Sequence, residues 1–149
     1  LALKQVDVSK KPVQRREAVA VGRIKLNPAT IQLIKESRVE KGDPLQLARV
    51  GGILAAKHTP ELMPLCHQLK LESVEVNLEV GDNYVEAVSH VVASEKTGVE
   101  MEALAAVMGA LLNIWDAVKQ YEKDSGGQYP STEIYGVKVI SKVKRDDAP

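Results

Sequence analysis

Phenylalanine is absent from this chain and aromatic residues make up only 3% of it, so the stacking platforms that grip single-stranded nucleic acid are scarce. Neither sign of charge is in excess. Twenty lysines and arginines face 20 aspartates and glutamates, and a formal net charge of +0 leaves no overall field to draw a polyanion or an anionic membrane. Any anion must be held by a local cluster. The single cysteine, Cys66, excludes an intrachain disulfide and fits a reducing compartment. With only three histidines beside it, the chain falls short of the set of about four well-spaced ligands that a structural zinc needs, and no protein-bound metal is expected. There is no P-loop and no GxGxxG, so a triphosphate would have to be bound by side chains. No uninterrupted apolar run approaches the roughly 18 residues of a membrane span, and the first residues lack the charged-then-apolar layout of a signal peptide; a cytoplasmic protein is expected.

What is present fits one domain. The chain has 149 residues and 44% hydrophobic content, enough for a substantial core. Residues 1–16 are polar, carry Lys4, Lys10, Lys11, Arg15 and Arg16, and read as a flexible basic arm; the domain is expected over 17–143, with a disordered tail at 144–149. Ala18, Ala20, Gly22, Ile24 and Leu26 share one face of a first strand. Asn27-Pro28 and Asp43-Pro44 each open a helix with a cap and a proline at the first position. The buried stripe of the first is expected to be Ile31, Leu33 and Ile34, and that of the second Leu47, Val50, Ile53 and Leu54. Two prolines make residues 59–69 a structured loop. Residues 71–80 alternate, with Val74, Val76, Leu78 and Val80 inward, and a Gly81-Asp82-Asn83 turn joins them to a second strand at 84–93. A last strand, 134–143, is expected to place Val137, Val139 and Val143 on one side and Lys138, Ile140 and Lys142 on the other.

Residues 96–121 form the longest periodic segment. Thr97 and Glu100 have capping-box spacing, and Leu104, Met108, Leu111, Trp115 and Val118 recur at steps of three and four. A second stripe, Glu102, Ala106, Gly109, Asn113 and Asp116, is small or polar, which suggests close packing against a two-fold mate. The element order predicts an α+β, ferredoxin-like fold: a four-stranded antiparallel sheet with helices packed on one face.

Two clusters could carry chemistry. Cys66 and His67 are neighbours in an extended segment, where adjacent side chains point to opposite sides, so neither a shared metal nor a thiol nucleophile is favoured. Asp116 and Lys119, at i and i+3, are most often no more than a surface ion pair. Their place beside Trp115 argues for more, because desolvation there would bring the lysine toward neutrality and make it a usable acid or base. Glu102 and Asp116 lie about 21 Å apart along one helix, so both can serve one small ligand only if two antiparallel helices share the site across a two-fold axis.

Several separated motifs then stand in one order: VDVS (Val6–Ser9), KGD (Lys41–Asp43), a run ending at Lys57, MPLCH (Met63–His67), KTGVEMEAL (Lys96–Leu104) and WDAVK (Trp115–Lys119). Together they resemble the molybdenum cofactor biosynthesis protein C family, the cyclic pyranopterin monophosphate synthases, over nearly the whole chain. The resemblance implies a ferredoxin-like subunit, a homohexamer built as a trimer of dimers, and active sites at dimer interfaces. It implies a lyase that converts 3',8-cyclo-7,8-dihydroguanosine 5'-triphosphate to cyclic pyranopterin monophosphate with release of pyrophosphate. Asp116, Lys119, Lys41 and Lys142 then match catalytic positions, and Leu65, Cys66, His67, Met101, Glu102 and Glu100 match substrate contacts. The only metal this reading admits is a Mg2+ travelling with the triphosphate. After Lys142 the chain reads VKRDDAP, where the family often continues through a glycine-rich basic tail. The competing reading is a non-catalytic ferredoxin-like assembly module that binds a small anionic effector.

Overall fold

The structure, a computed structural model, describes residues 1–146. Its elements run β1 (Gln14–Lys25), α1 (Pro28–Lys35), α2 (Pro44–Lys57), α3 (Thr59–Leu62), β2 (Ser73–Val80), β3 (Tyr84–Glu95), α4 (Glu100–Glu122) and β4 (Glu133–Arg145). All strand pairs are antiparallel and the order across the sheet is β2-β3-β1-β4, the ferredoxin-like arrangement expected. The expected inward residues of β1 are buried, as are Val85, Ala87, Val91 and Ala93 of β3, and they meet Val107, Leu111, Ile114 and Val118 of α4 in one core. Helices cover that side of the sheet only, so the strands alternate between buried and more open positions.

The boundaries correct the expected arm and tail. β1 begins at Gln14 and Arg16 is buried, donating to the carbonyls of Glu95 and Lys96, so the last residues of the presumed arm belong to the sheet. β4 likewise runs through Lys144 and Arg145, while residues 147–149 of the expected tail lie outside the described residues.

α4 is long and apolar enough, by length and composition, to cross a membrane, although charged residues interrupt its apolar run. More than half of that stretch is buried inside the protein, between the sheet and α2, where a core helix meets the same test. Its start differs from the expected capping box. Val99 is the N-cap, and its apolar side chain cannot cap the helix; Glu100 is then the first helical residue, its Oε1 2.9 Å from Lys142 Nζ.

The small-residue stripe of α4 also has a different partner from the one expected. Gly109 packs on α2 of the same chain: a Cβ there would lie 2.6 Å from the Ala55 Cβ and 3.0 Å from the Gly51 carbonyl oxygen. A Cβ on Gly52 would likewise meet the Ala106 carbonyl oxygen at 2.8 Å. Small residues on both helices let the backbones close together, so α2 turns Ala48, Gly52 and Ala56 inward. The larger side chains expected to be buried, Leu47, Val50 and Leu54, consequently face outward, 41%, 58% and 52% exposed. With Leu112 of α4 they line a shallow apolar groove of about 560 Å³.

A fully buried carboxylate that the sequence reading did not single out closes the far end of α4. Glu122 accepts hydrogen bonds from Thr132 Oγ1 at 2.7 Å, the Asn27 amide at 3.0 Å and Thr30 Oγ1, tying the helix end to the starts of α1 and β4. Each oxygen of this buried side chain therefore has a hydrogen-bond partner, as a buried polar group requires.

Candidate active site

The candidate site residues gather at the two ends of α4. At its carboxyl end Asp116 Oδ1 is 3.1 Å from Lys119 Nζ, one turn on, and Asp116 Oδ2 is 3.6 Å from Lys41 Nζ. Lys41 comes from the connection between α1 and α2 and also donates to the Asp116 carbonyl at 3.0 Å. These side chains are exposed: Asp116 61%, Lys41 43% and Lys119 42%. Together with Lys123, Lys41 and Lys119 edge an open depression of about 460 Å³. Cations near a helix carboxyl end are favoured by the macrodipole, so the lysines belong here electrostatically even before Asp116 is counted. Hydrogen bonding and charge from Lys119 hold the Asp116 carboxyl below the usual carboxylate range, and Asp116 in turn raises Lys119. That reverses the expectation that Trp115 would desolvate the lysine toward neutrality. Trp115 is occupied elsewhere, packed edge-on against Tyr129 with ring centroids 5.2 Å apart.

At the amino end of α4, Glu100 Oε1 is 2.9 Å from Lys142 Nζ, in a polar depression of about 380 Å³ that is also lined by Lys11, Arg16 and Lys144. Lys142 gets there through a β-bulge. The β1–β4 register slips between Val19 and Ala20, so Ala18 faces Lys142 while Ala20 faces Val139. Cross-strand partners point to the same side of a sheet. Lys142 therefore joins Val139 on the helix side and Val143 turns away, the opposite of the phase expected from simple alternation.

Beside this lies a second and drier group. Leu65, Cys66 and Met101 border an apolar depression of about 520 Å³ with Leu3, Leu62 and Met63. Beneath it Glu102 is 2% exposed, with Cys66 Sγ 3.7 Å from one carboxyl oxygen and no hydrogen-bond partner for the other among the described residues. Burial pushes the Glu102 carboxyl above its usual range. Burial, and then the nearby Glu102 carboxylate, pushes the Cys66 thiol up, which argues against a thiolate nucleophile. His67 points to the amino-terminal arm, its Nε2 2.5 Å from the Val6 carbonyl oxygen. Among the described residues no group of three or more histidine, cysteine, aspartate or glutamate side chains is assembled as a metal site.

The structure thus brings Lys41 to Asp116 and Lys119, and Lys142 to Glu100, with about 24 Å of helix between Glu100 and Asp116. The sequence reading did not place Arg16 or Lys144 at the site, nor single out Tyr121, whose hydroxyl accepts from the Glu40 amide beside Lys41. A basic arm was visible for the first, but neither the bulge nor a tyrosine's long-range partner leaves a mark in local periodicity.

The subunit is of the ferredoxin-like α+β class, with a cation-flanked carboxylate at one end of its core helix and a lysine-paired, partly buried acidic group at the other. The comparisons make the class particular. The MoaC family profile matches residues 5–144. A relative from Pyrococcus abyssi named probable cyclic pyranopterin monophosphate synthase is 53% identical over 142 residues, covering 95% of this chain and 89% of the relative. Relatives of the same name from Thermococcus kodakarensis and Sulfurisphaera tokodaii are 52% and 54% identical, each covering 97% of this chain and 93% and 95% of their own. The chain belongs to the MoaC family, whose place is in molybdenum cofactor biosynthesis.

Proposed function

We propose that this chain is a cyclic pyranopterin monophosphate synthase, a pyrophosphate-releasing lyase acting on 3',8-cyclo-7,8-dihydroguanosine 5'-triphosphate in the cytoplasm. The observation that carries the reading is Asp116 held between Lys119 and Lys41, the two lysines edging an open depression. Ring opening and rebuilding need proton transfers, and closure of a cyclic phosphate needs cations where charge develops as pyrophosphate leaves. In the free protein the pairing holds Asp116 ionised and Lys119 protonated, both shifted away from the neutral range that suits proton transfer, so either acts as base or acid only once substrate binding separates the pair. Lys41 and Lys142 serve as phosphate-facing cations. Leu65, Cys66, His67, Glu100, Met101 and Glu102 contact the substrate, with the apolar depression suited to the ring system.

One protomer offers only half of this constellation at each end of α4, so the site is composite. The Asp116, Lys119 and Lys41 group of one subunit meets the Glu102 and Lys142 group of its mate. The outward Leu47, Val50 and Leu54 of α2, with Leu112 of α4, support the association, being an apolar patch beside the middle of α4. A two-fold axis there sets two copies of α4 antiparallel, and three such dimers make the hexamer. The deciding assay is incubation of purified protein with the cyclic GTP-derived triphosphate, following pyrophosphate and pterin products together. Binding without turnover would instead make the chain a non-catalytic anion-binding module.

A further inference from the structure

Lys41 sits on neither a helix nor a strand, yet its position decides the shape of the Asp116 cluster. It belongs to the connection 36–43 between α1 and α2, in which Ser37 and Gly42 have positive φ values of 56° and 117°. Chain of this kind on a surface ordinarily samples many conformations. Here the Glu40 amide, one residue before Lys41, donates to the Tyr121 hydroxyl oxygen at 2.9 Å. Tyr121 lies in the last turn of α4 and packs against the edge of the core. The neighbouring Val39 is 7% exposed and anchors the loop from the other side. Lys41 then reaches back along α4 to the Asp116 carbonyl and carboxylate.

We propose that Tyr121 is a positioning residue for Lys41. Its hydroxyl holds the loop in the register from which the lysine reaches Asp116, so the cation is in place before the substrate's phosphates arrive. The inference rests on the reading of Lys41 as a phosphate-facing group, and deepens it. Removing the hydroxyl leaves the Glu40 amide to water, since Glu40 is exposed, so Tyr121→Phe should fold normally. What is lost is the population of loops with Lys41 in place, and apparent affinity falls in proportion to that population.

The test uses tripolyphosphate as the probe, with calorimetry at fixed salt on the wild type, Tyr121→Phe, Lys41→Ala and the double variant. One hydrogen bond of ordinary strength corresponds to a loss of affinity of about threefold to tenfold in Tyr121→Phe. In the Lys41→Ala background the same change should have no further effect, because Tyr121 acts only through the lysine. Hydrogen exchange at the Glu40 amide should quicken while amides of the β1–β3 ladder keep their protection. Equal losses in both backgrounds, an unchanged Glu40 exchange rate, or no tripolyphosphate binding by the wild type would overturn the proposal. Turnover of the cyclic triphosphate is read separately. A wild type that binds tripolyphosphate with the expected coupling but makes no pterin refutes the synthase reading and leaves the Tyr121–Lys41 link standing.

Discussion

The two ends of α4 hold acidic side chains of the same chemistry under opposite conditions. At the carboxyl end Asp116 is exposed, paired with two lysines and held strongly ionised. Glu102, at the amino end, is buried, with the Cys66 thiol at one carboxyl oxygen and no partner for the other among the described residues, and is biased toward its neutral form, although a helix amino terminus favours an anion. Desolvation decides the difference, outweighing the macrodipole where water is excluded and yielding to ion pairing where it is not. The contrast separates function from stability. Exposed ion pairs contribute little to folding, so the Asp116 group is free to be shaped by chemistry, whereas a buried carboxylate short of partners is a charge the fold must tolerate.

The sharpest way to break this comparison is to alter the exposed end alone. Asp116→Asn and Lys119→Arg should each lose turnover by about 10²- to 10⁴-fold, the range for general acid–base groups, while unfolding temperature and substrate binding stay near wild type. Near-normal turnover in Lys119→Arg would reduce that lysine to an electrostatic clamp.

Joining the two ends across subunits gives the next largest effect. Inactive Lys119→Ala and Glu102→Ala subunits, mixed at random, should recover about a quarter of wild-type activity, since half the dimers are mixed and each of those keeps one intact site. Lys41→Ala with Lys119→Ala should recover nothing, because both groups stand at the same end of one protomer. Recovery in the second mixture and not the first would show that the site is divided differently.

The seam between the ends is tested by Gly109→Leu, which drives a side chain into Ala55 and the Gly51 backbone. Overpacking of this kind costs about 1–3 kcal/mol. Because the contact is within one chain, denaturant unfolding should shift by this amount at every protein concentration; a shift seen only on dilution would mean the helix packs against a second subunit instead.

The smallest effect is expected from Glu102→Gln. A carboxyl whose folded pKa is raised binds more protons folded than unfolded, so its contribution to stability is fully present below the unfolded value and declines as pH rises through the raised one. The wild type should lose that increment between acidic and neutral pH, and the amide variant should not. Parallel pH profiles for the two would place the ionised carboxylate in a less costly environment than its burial implies.

Much of the architecture was already decided locally. Alternation fixed the inward faces of β1 and β2, Asn27-Pro28 and Asp43-Pro44 marked helix starts, and period 3.6 marked α4, because each pattern reflects neighbours a few residues apart. The motifs around Asp116, Lys119 and Glu102 carry the residues proposed for the chemistry, and the length of α4 already kept its two ends apart within one chain. Tertiary contacts decided the rest. Leu47, Val50 and Leu54 formed the obvious stripe on α2, yet the smaller Ala48, Gly52 and Ala56 are buried, because the facing surface of α4 is itself small and backbone proximity won over side-chain bulk. Glu100 meets Lys142, which an unforeseen bulge had turned toward it. Lys41 sides with Asp116 because a loop crosses α4 and is held there by Tyr121, a bond spanning 81 residues that no local pattern encodes.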